Sequence, residues 1–295
     1  MQPLTSRRCA QYLKDNHPGF IEVYTDGKKD PYSSLLMMIR RTAQKIGLKQ
    51  RRTTKSKLCT TDMNELRNRF IEGFKVEVDR FESRRNIINI DETSIWFDPL
   101  PTSIMAYSGN GKARVAGAKK HCGRITTVLA IAADGTKLPI LFILPGAKNG
   151  TIARQEVKEY NTSHYYLCQK NAWMDSQIWQ YYLQTVLKPH LVDESLIVVD
   201  NLDCHVSDES VHTIQNHLAS RLYPLPENCT SICQPLDVGV MGPLKKKIQT
   251  RWLQSPRVTT AKAKRKLAIE LTISAFNDIT EHCVRRSWQK SILPH

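Results

Sequence analysis

No stretch of this 295-residue chain approaches the roughly 18 consecutive apolar residues of a membrane-spanning helix, so no membrane association is expected. The first twenty residues, MQPLTSRRCAQYLKDNHPGF, lack the apolar core of a secretory signal, which points to a protein that stays inside the cell. Eight cysteines are present but none form a CxxC pair. Cys229 and Cys233 lack a second ligand pair at zinc-finger spacing, so reduced, structural thiols are expected. The glycine-rich, basic segment GNGKARVAG at 109–117 lacks the GxxxxGK[ST] spacing and lies between strands rather than before a helix, which excludes a nucleotide-binding phosphate loop. Internal repeats and low-complexity tracts are absent too.

Acid is scarce at both ends. Residues 1–85 hold 19 Lys or Arg against 10 Asp or Glu, and residues 245–295 hold 12 against 3, a balance of +9 in each flank. The middle, 86–244, holds 12 basic against 15 acidic residues, or −3. Basic runs can be merely solvated faces. An acidic centre between basic flanks, however, suits a polyanion-binding protein that concentrates carboxylates where a cation must sit.

Hydrophobic residues make up 41% and charged residues 24% of the chain, enough for one substantial core with appendages. Apolar spacing predicts a short helix over 34–47, followed by the charged arm LKQRRTTKSK. An amphipathic helix is expected next, with Leu66, Phe70, Phe74 and Val78 four residues apart. NIINIDETSIWF reads as a buried strand. RITTVLAIAADGTKLPILFIL reads as a hairpin with a type I′ turn at Asp134-Gly135. Residues 147–172 show no period and are expected to be irregular. SQIWQYYLQTVLKPHL reads as a helix, SLIVVDN as a strand and SDESVHTIQNHL as a helix capped by Ser207. SRLYPLP is extended, and a helix opens at Pro235. Three strands, a helix, a strand, a helix, a strand and a helix make an α/β layer fold. It is expected to be a ribonuclease-H-like mixed sheet flanked by helices, with a small helical N-terminal segment.

Three carboxylates stand apart from the acids of turns and helix faces. Asp91 follows the apolar run IINI, Asp200 ends the strand LIVV, and Asp237 opens a helix. A carboxylate beside a β-core is costly unless paired or bound to metal. Two strand-end carboxylates and a third from a nearby helix suit a pair of Mg²⁺ (or Mn²⁺) ions about 3.5–4 Å apart, the arrangement that serves phosphoryl transfer. Glu92, by period-two alternation, faces away from Asp91 and is a poorer ligand. Taken singly, each Asp could equally form a turn or cap a helix.

The surrounding blocks carry a resemblance. NIDETSIWF, VVDNLDCH and SICQPLDVGVMGPLKKKI resemble the three signature blocks of DDE superfamily endonucleases of the pogo and jerky branch, relatives of mariner transposases and of centromere protein B. The resemblance spans about residues 36–290. It implies Asp91, Asp200 and Asp237 as the catalytic and metal-binding set, the last two separated by 36 residues. Asn201, His205 and Gln234 fall on supporting positions. Leu202 and Asp203 replace the small residues of the pattern, and Asp203 puts another acid near the site. Trp173 also matches a family position, although a lone Trp more often packs than stacks on a base.

Relatives carry helix-turn-helix units before the core, and 32–58 resembles the closing part of the second such unit. DNA contacts are therefore expected from Arg40, Arg41 and Lys45 on its helix and from Lys49, Arg51, Arg52, Lys55 and Lys57 in the following arm. Lys119, Lys120 and Arg124 are further candidates near the hairpin. The basic groups at 245–247 and 262–266 could serve DNA binding or nuclear import. The expected organisation is 1–58 as a partial helix-turn-helix-like DNA-binding segment, 59–85 as a linking helix, 86–255 as the endonuclease core, and 256–295 as a basic helical tail. The first helix-turn-helix unit is missing from this pattern, as in a truncated or decayed element copy. The implied function is metal-dependent cleavage and strand transfer in the nucleus on double-stranded DNA, at element ends and at the target. A homodimer is compatible with it. The alternative is a domesticated protein that binds nucleic acid or chromatin without catalysis.

Overall fold

The computed structural model describes residues 6–28, 30–48, 60–97, 123–256 and 258–293. The chain divides into two compact units, Met1–Ser56 and Lys57–His295.

In the first unit, α1 (Ser6–Asn16), α2 (Pro18–Thr25) and α3 (Pro31–Lys45) surround a small core of Ala10, Leu35 and Ile39. Pro18 and Pro31 open their helices, where a missing N–H costs nothing, and Asp30 caps α3 by accepting the Ser33 N–H. The sequence pattern anticipated only α3. The first two helices are short, and α2 buries none of its residues, so neither has a full apolar stripe to read.

The second unit is built on a six-stranded sheet in the order β4-β3-β2-β1-β5-β6. Its strands are β1 (Ile87–Trp96), β2 (Arg124–Ala132), β3 (Leu141–Pro145), β4 (Tyr165–Gln169), β5 (Leu196–Val199) and β6 (Arg221–Pro224). β1, β2 and β3 run antiparallel, while β3–β4, β1–β5 and β5–β6 are parallel. The expected ribonuclease-H-like mixed sheet is thus present, with one strand more. β4 lies within 147–172, the segment expected to be irregular. Its YYLCQ is only partly buried at the sheet edge and shows no alternation, which left no signal to read.

Alternation in β1 separates two cores. Ile87 and Ile95 face a layer made by α4 (Thr60–Val78), α9 (Met241–Gln254), α10 (Ala261–Asn277) and α11 (Glu281–Ser291). Ile88 and Ile90 face α5 (Ser176–Tyr181), whose π and 3-10 continuations reach residue 190. Residues 256–295 are therefore not a tail. Ile269, Phe276, Val284 and Trp288 are buried in the first core, and the basic residues that dominate this segment's composition lie around that apolar interior.

The hairpin turn also differs from expectation. A type I′ turn needs positive φ at both central residues, and here Gly135 has it (φ 107°) while Asp134 does not. Asp134 instead accepts hydrogen bonds from the Thr136 N–H and hydroxyl, a side-chain-closed turn. A Cβ on Gly135 would stand 2.9 Å from that of Glu281, so α11 demands glycine there as well.

Candidate active site

Asp91 lies on β1, on the face of the larger core. Asp200 follows β5 directly. The parallel register pairs Ile87 with Leu196, Ile88 with Ile197 and Asn89 with Val198. Two more steps bring Asp91 level with Asp200. Asp237 rides on a π turn, Leu236–Val240, that leads into α9. That turn is pressed onto α11 at Gly239, where a Cβ would meet Ser287 Cβ at 2.5 Å. Three distant segments are thereby drawn to one place.

Their electrostatics show that proximity. Asp91 is pushed well above the usual carboxylate range, first by burial and then by the charges of Asp237, Glu92 and Asp200; one N–H, from Glu92 at 2.7 Å, opposes this. Asp237 is also raised, chiefly by burial and further by Asp200, despite Lys245 along the same helix. Burial raises Asp200 as well, but hydrogen bonds from His205 and the Leu202 N–H leave it below its ordinary value. Among the described residues neither Asp91 nor Asp237 has a cation in ion-pair contact.

His205, on α6 (Asp203–Val206), is buried and touches two acids. Nδ1 lies 2.7 Å from Asp200 Oδ1 and Nε2 lies 3.1 Å from Glu92 Oε1. Both ring nitrogens can donate only in the imidazolium form. Desolvation works against that charge, but the two carboxylates overcome it and raise His205 to about 9. The ring packs on Trp179 at 4.2 Å between centroids, and Trp179 Nε1 donates to Ser210 Oγ at 2.8 Å on α7 (Asp208–His212). Glu92, on the opposite face of β1 from Asp91, thus holds the histidine that holds Asp200.

The other supporting candidates act on backbone or stand free. Asn201 donates from Nδ2 to the Leu225 carbonyl at 2.5 Å, bracing the loop after β5 against the end of β6. Gln234 is 1% exposed, and its Nε2 has no partner among the described residues. Asp203 is exposed and is not among the charges that shift Asp91, Asp200 or Asp237.

One further residue belongs to the candidate site without matching any of the three acid positions or their supports. Asn89, fully buried two places before Asp91, donates from Nδ2 to the Val198 carbonyl at 3.0 Å and accepts at Oδ1 from the Leu236 N–H at 3.0 Å. Its signal was in plain view: a polar residue inside the apolar run IINI.

The donor set fits a hard divalent cation: three carboxylates, two of them raised by burial and by acid neighbours that a positive charge would relieve. They are gathered rather than closed. No three acidic, histidine or cysteine side chains among the described residues stand in metal-ligating geometry; one oxygen of Asp200 is engaged by His205 and one of Asp91 by the Glu92 N–H.

Of the candidate DNA contacts, Arg40, Arg41 and Lys45 are exposed on α3. Lys49, Arg51, Arg52, Lys55, Lys57, Lys119 and Lys120 lie outside the described residues. The Arg124 guanidinium lies 5.4 Å from the Trp173 ring and 5.9 Å from the Trp96 ring, and it donates to Ser94 Oγ at 2.9 Å. In the basic group 262–266, Arg265 is committed to a buried pair with Glu156, while Lys262 forms an exposed ion pair with Glu159.

Comparison with known proteins agrees with this architecture. The family model described as DDE superfamily endonuclease matches residues 123–288, more than half of the chain. The pogo transposable element with KRAB domain of Mus musculus is 24% identical over 218 residues, covering 68% of this chain and 34% of that protein. Tigger transposable element-derived protein 4 of Mus musculus is 26% identical over 163 residues, covering 55% of this chain and 29% of that protein. The chain thus spans about a third of these curated relatives. The Mos1 strand transfer complex matches with a TM-score of 0.54 at 13% identity, covering 100% of this chain and 77% of that one. The mariner Mos1 paired end complex with Mg matches with a TM-score of 0.53 at 13% identity, covering 99% and 79%. By its sheet and by a family match over more than half of its length, this chain belongs to the DDE superfamily endonucleases.

Proposed function

We propose that the chain is a metal-dependent DNA endonuclease and strand transferase of the transposase kind, with Asp91, Asp200 and Asp237 as its catalytic carboxylates. The observation that carries this reading is the convergence of three acids, from two adjacent parallel strands and a π turn, with Asp91 and Asp237 raised and without a resident cation among the described residues. Divalent cations held by these carboxylates, Mg²⁺ or Mn²⁺, would supply activation of water or a 3′-hydroxyl and stabilisation of the leaving oxygen.

The chain's own residues do the rest. Asp91 offers a buried carboxylate and Asp237 a solvent-reachable one, and a bound cation would relieve the repulsion between them. Imidazolium His205 fixes one oxygen of Asp200 and leaves the other available. Arg40, Arg41, Lys45 and Arg124 bind DNA phosphates, an interaction that weakens as salt rises. Element ends and target are the expected duplexes, a homodimer pairs the ends, and the nucleus is the place of action. Mos1, whose solved structures include a paired end complex and a strand transfer complex, supports the DNA partner and the pairing by its fold.

The test uses purified chain, a duplex bearing the element's own terminal repeats, and Mg²⁺ or Mn²⁺. Nicking should require the metal and should vanish with Asp91→Ala, Asp200→Ala or Asp237→Ala. Full cleavage by all three variants, or salt-sensitive DNA binding with no metal binding, would overturn the proposal.

A further inference from the structure

A neutral amide in the middle of a fully buried strand needs a reason. Asn89 is 0% exposed between Ile88 and Ile90, which are 1% and 0% exposed. Burying an unsatisfied amide costs a few kcal/mol, so Asn persists in such a place only where both ends of its side chain are bonded. Asn89 meets that condition with backbone partners in two other elements: Val198 in β5 and Leu236 at the head of the π turn. Val198 lies two residues before Asp200, Leu236 one residue before Asp237, and Asn89 itself two residues before Asp91. One side chain therefore ties together the backbones of all three acid-bearing segments, each within two residues of its acid.

The chemistry of the side chain suits that place. Three carboxylates brought together repel one another, as the raised Asp91 shows, and an unbraced turn bearing Asp237 would move away. A lysine or arginine at 89 would hold the acids but neutralise them and compete with a metal ion. An aspartate would add another negative charge and lose the donor to Val198. Leu236 N–H is also one of the amides at a helix start that lack an intrahelical acceptor, and Asn89 Oδ1 supplies one without charge.

We propose that Asn89 is a positioning residue that holds the Asp237 turn against β1 and β5 and so sets the geometry of the three acids. This rests on the reading of Asp91, Asp200 and Asp237 as one site.

The test compares Asn89→Leu, which removes both hydrogen bonds at similar volume, with Asn89→Asp, which keeps the acceptor for Leu236, and with Val186→Ala, a buried truncation in the opposite layer. Hydrogen exchange at residues 234–240 is measured on the full chain without metal, and the Mn²⁺ concentration for half-maximal nicking is measured separately. Asn89→Leu should expose the Leu236 amide well beyond the general loosening seen in Val186→Ala, while Asn89→Asp keeps it protected. The half-maximal metal concentration should rise about tenfold or more in Asn89→Leu, in the range found when the support of a metal ligand is removed. Unchanged protection of Leu236 in Asn89→Leu, or a metal requirement no greater than that of Val186→Ala, would overturn the proposal. If Asn89→Leu does not fold, a Leu236 amide left unprotected in Asn89→Asp, which keeps the acceptor for that amide, would also count against it. Full nicking by Asp91→Ala would instead sink the three-acid site and leave the exchange result to judge the clamp by itself.

Discussion

Two buried carboxylates in this chain have opposite surroundings. Glu156 receives the Arg265 guanidinium at 2.7 Å on Oε1 and at 2.9 and 3.0 Å on Oε2, with the Tyr160 hydroxyl at 3.2 Å. The Arg265 hydrogen bonds hold it below its ordinary value, against desolvation. Asp91 is just as buried, has one backbone N–H, and faces three acids. Where the carboxylate is structural, the protein supplies the counter-charge from its own chain and joins α10 to the segment before β4. At the candidate site no such partner stands among the described residues, and the repulsion is stored until a cation arrives from outside. The cost of Asp91 is borne by the cores on both faces of β1.

This contrast can be broken by substitution. The largest effect is expected from Glu156→Gln, which leaves Arg265, 12% exposed, buried without its partner and should cost about 3–5 kcal/mol. At about 2–4 °C per kcal/mol for a unit of this size, thermal denaturation would show it plainly, whereas the metal concentration needed for cleavage should not move. An unchanged melting temperature would mean that the pair contributes nothing.

Next in size is the response to metal. At 100 times its dissociation constant, Mg²⁺ should stabilise the chain by about 2.7 kcal/mol, and Asp91→Asn should lose that shift while Glu156→Gln keeps it. Equal shifts in both variants would place the ion elsewhere.

Smaller, and opposite in sign to the first, is the effect of Asp91→Asn on the metal-free protein. Removing a charge that burial and three acids disfavour should raise stability by about 0.5–2 kcal/mol while abolishing nicking, the usual trade between stability and activity. A loss of stability would show that the Asp91 charge is welcome where it lies.

The smallest effect lies in the pH dependence. Because Glu156 is lowered in the folded state, its contribution is present above its unfolded value near 4.5 and is lost as pH falls through the folded value. Asp91 is raised, so its cost is absent below its unfolded value near 3.8 and grows as pH rises towards the folded one. Acid titration of Asp91→Asn should therefore show a steeper net loss of stability than wild type, and Glu156→Gln a shallower one. Identical titrations would remove the contrast.

Legibility followed the physics of each element. β1 and α4 could be read because each buries a regular face: Ile87, Ile88, Ile90 and Ile95 in one, Phe74 and Val78 in the other. β4 could not, since an edge strand with partly exposed tyrosines obeys no period. The segment 256–295 misled because its composition is basic, whereas a few buried residues such as Phe276 and Trp288 decide where it packs. At the site, Asp91, Asp200 and Asp237 were legible from their places after apolar runs and from the blocks around them. Asn89 was visible only as an oddity, and the bond from His205 to Glu92 joins residues 113 positions apart in sequence, beyond any local pattern.

Local order, then, determined the strand and helix types, the three acids and the basic flanks, because backbone preference and apolar period act over a few residues. Tertiary structure alone decided that Asn89 joins three segments, that His205 is held between two acids, and that Arg265 is spent on Glu156 rather than on DNA. Hydrogen bonds and charge contacts of that kind depend on which distant segments the sheet register brings together.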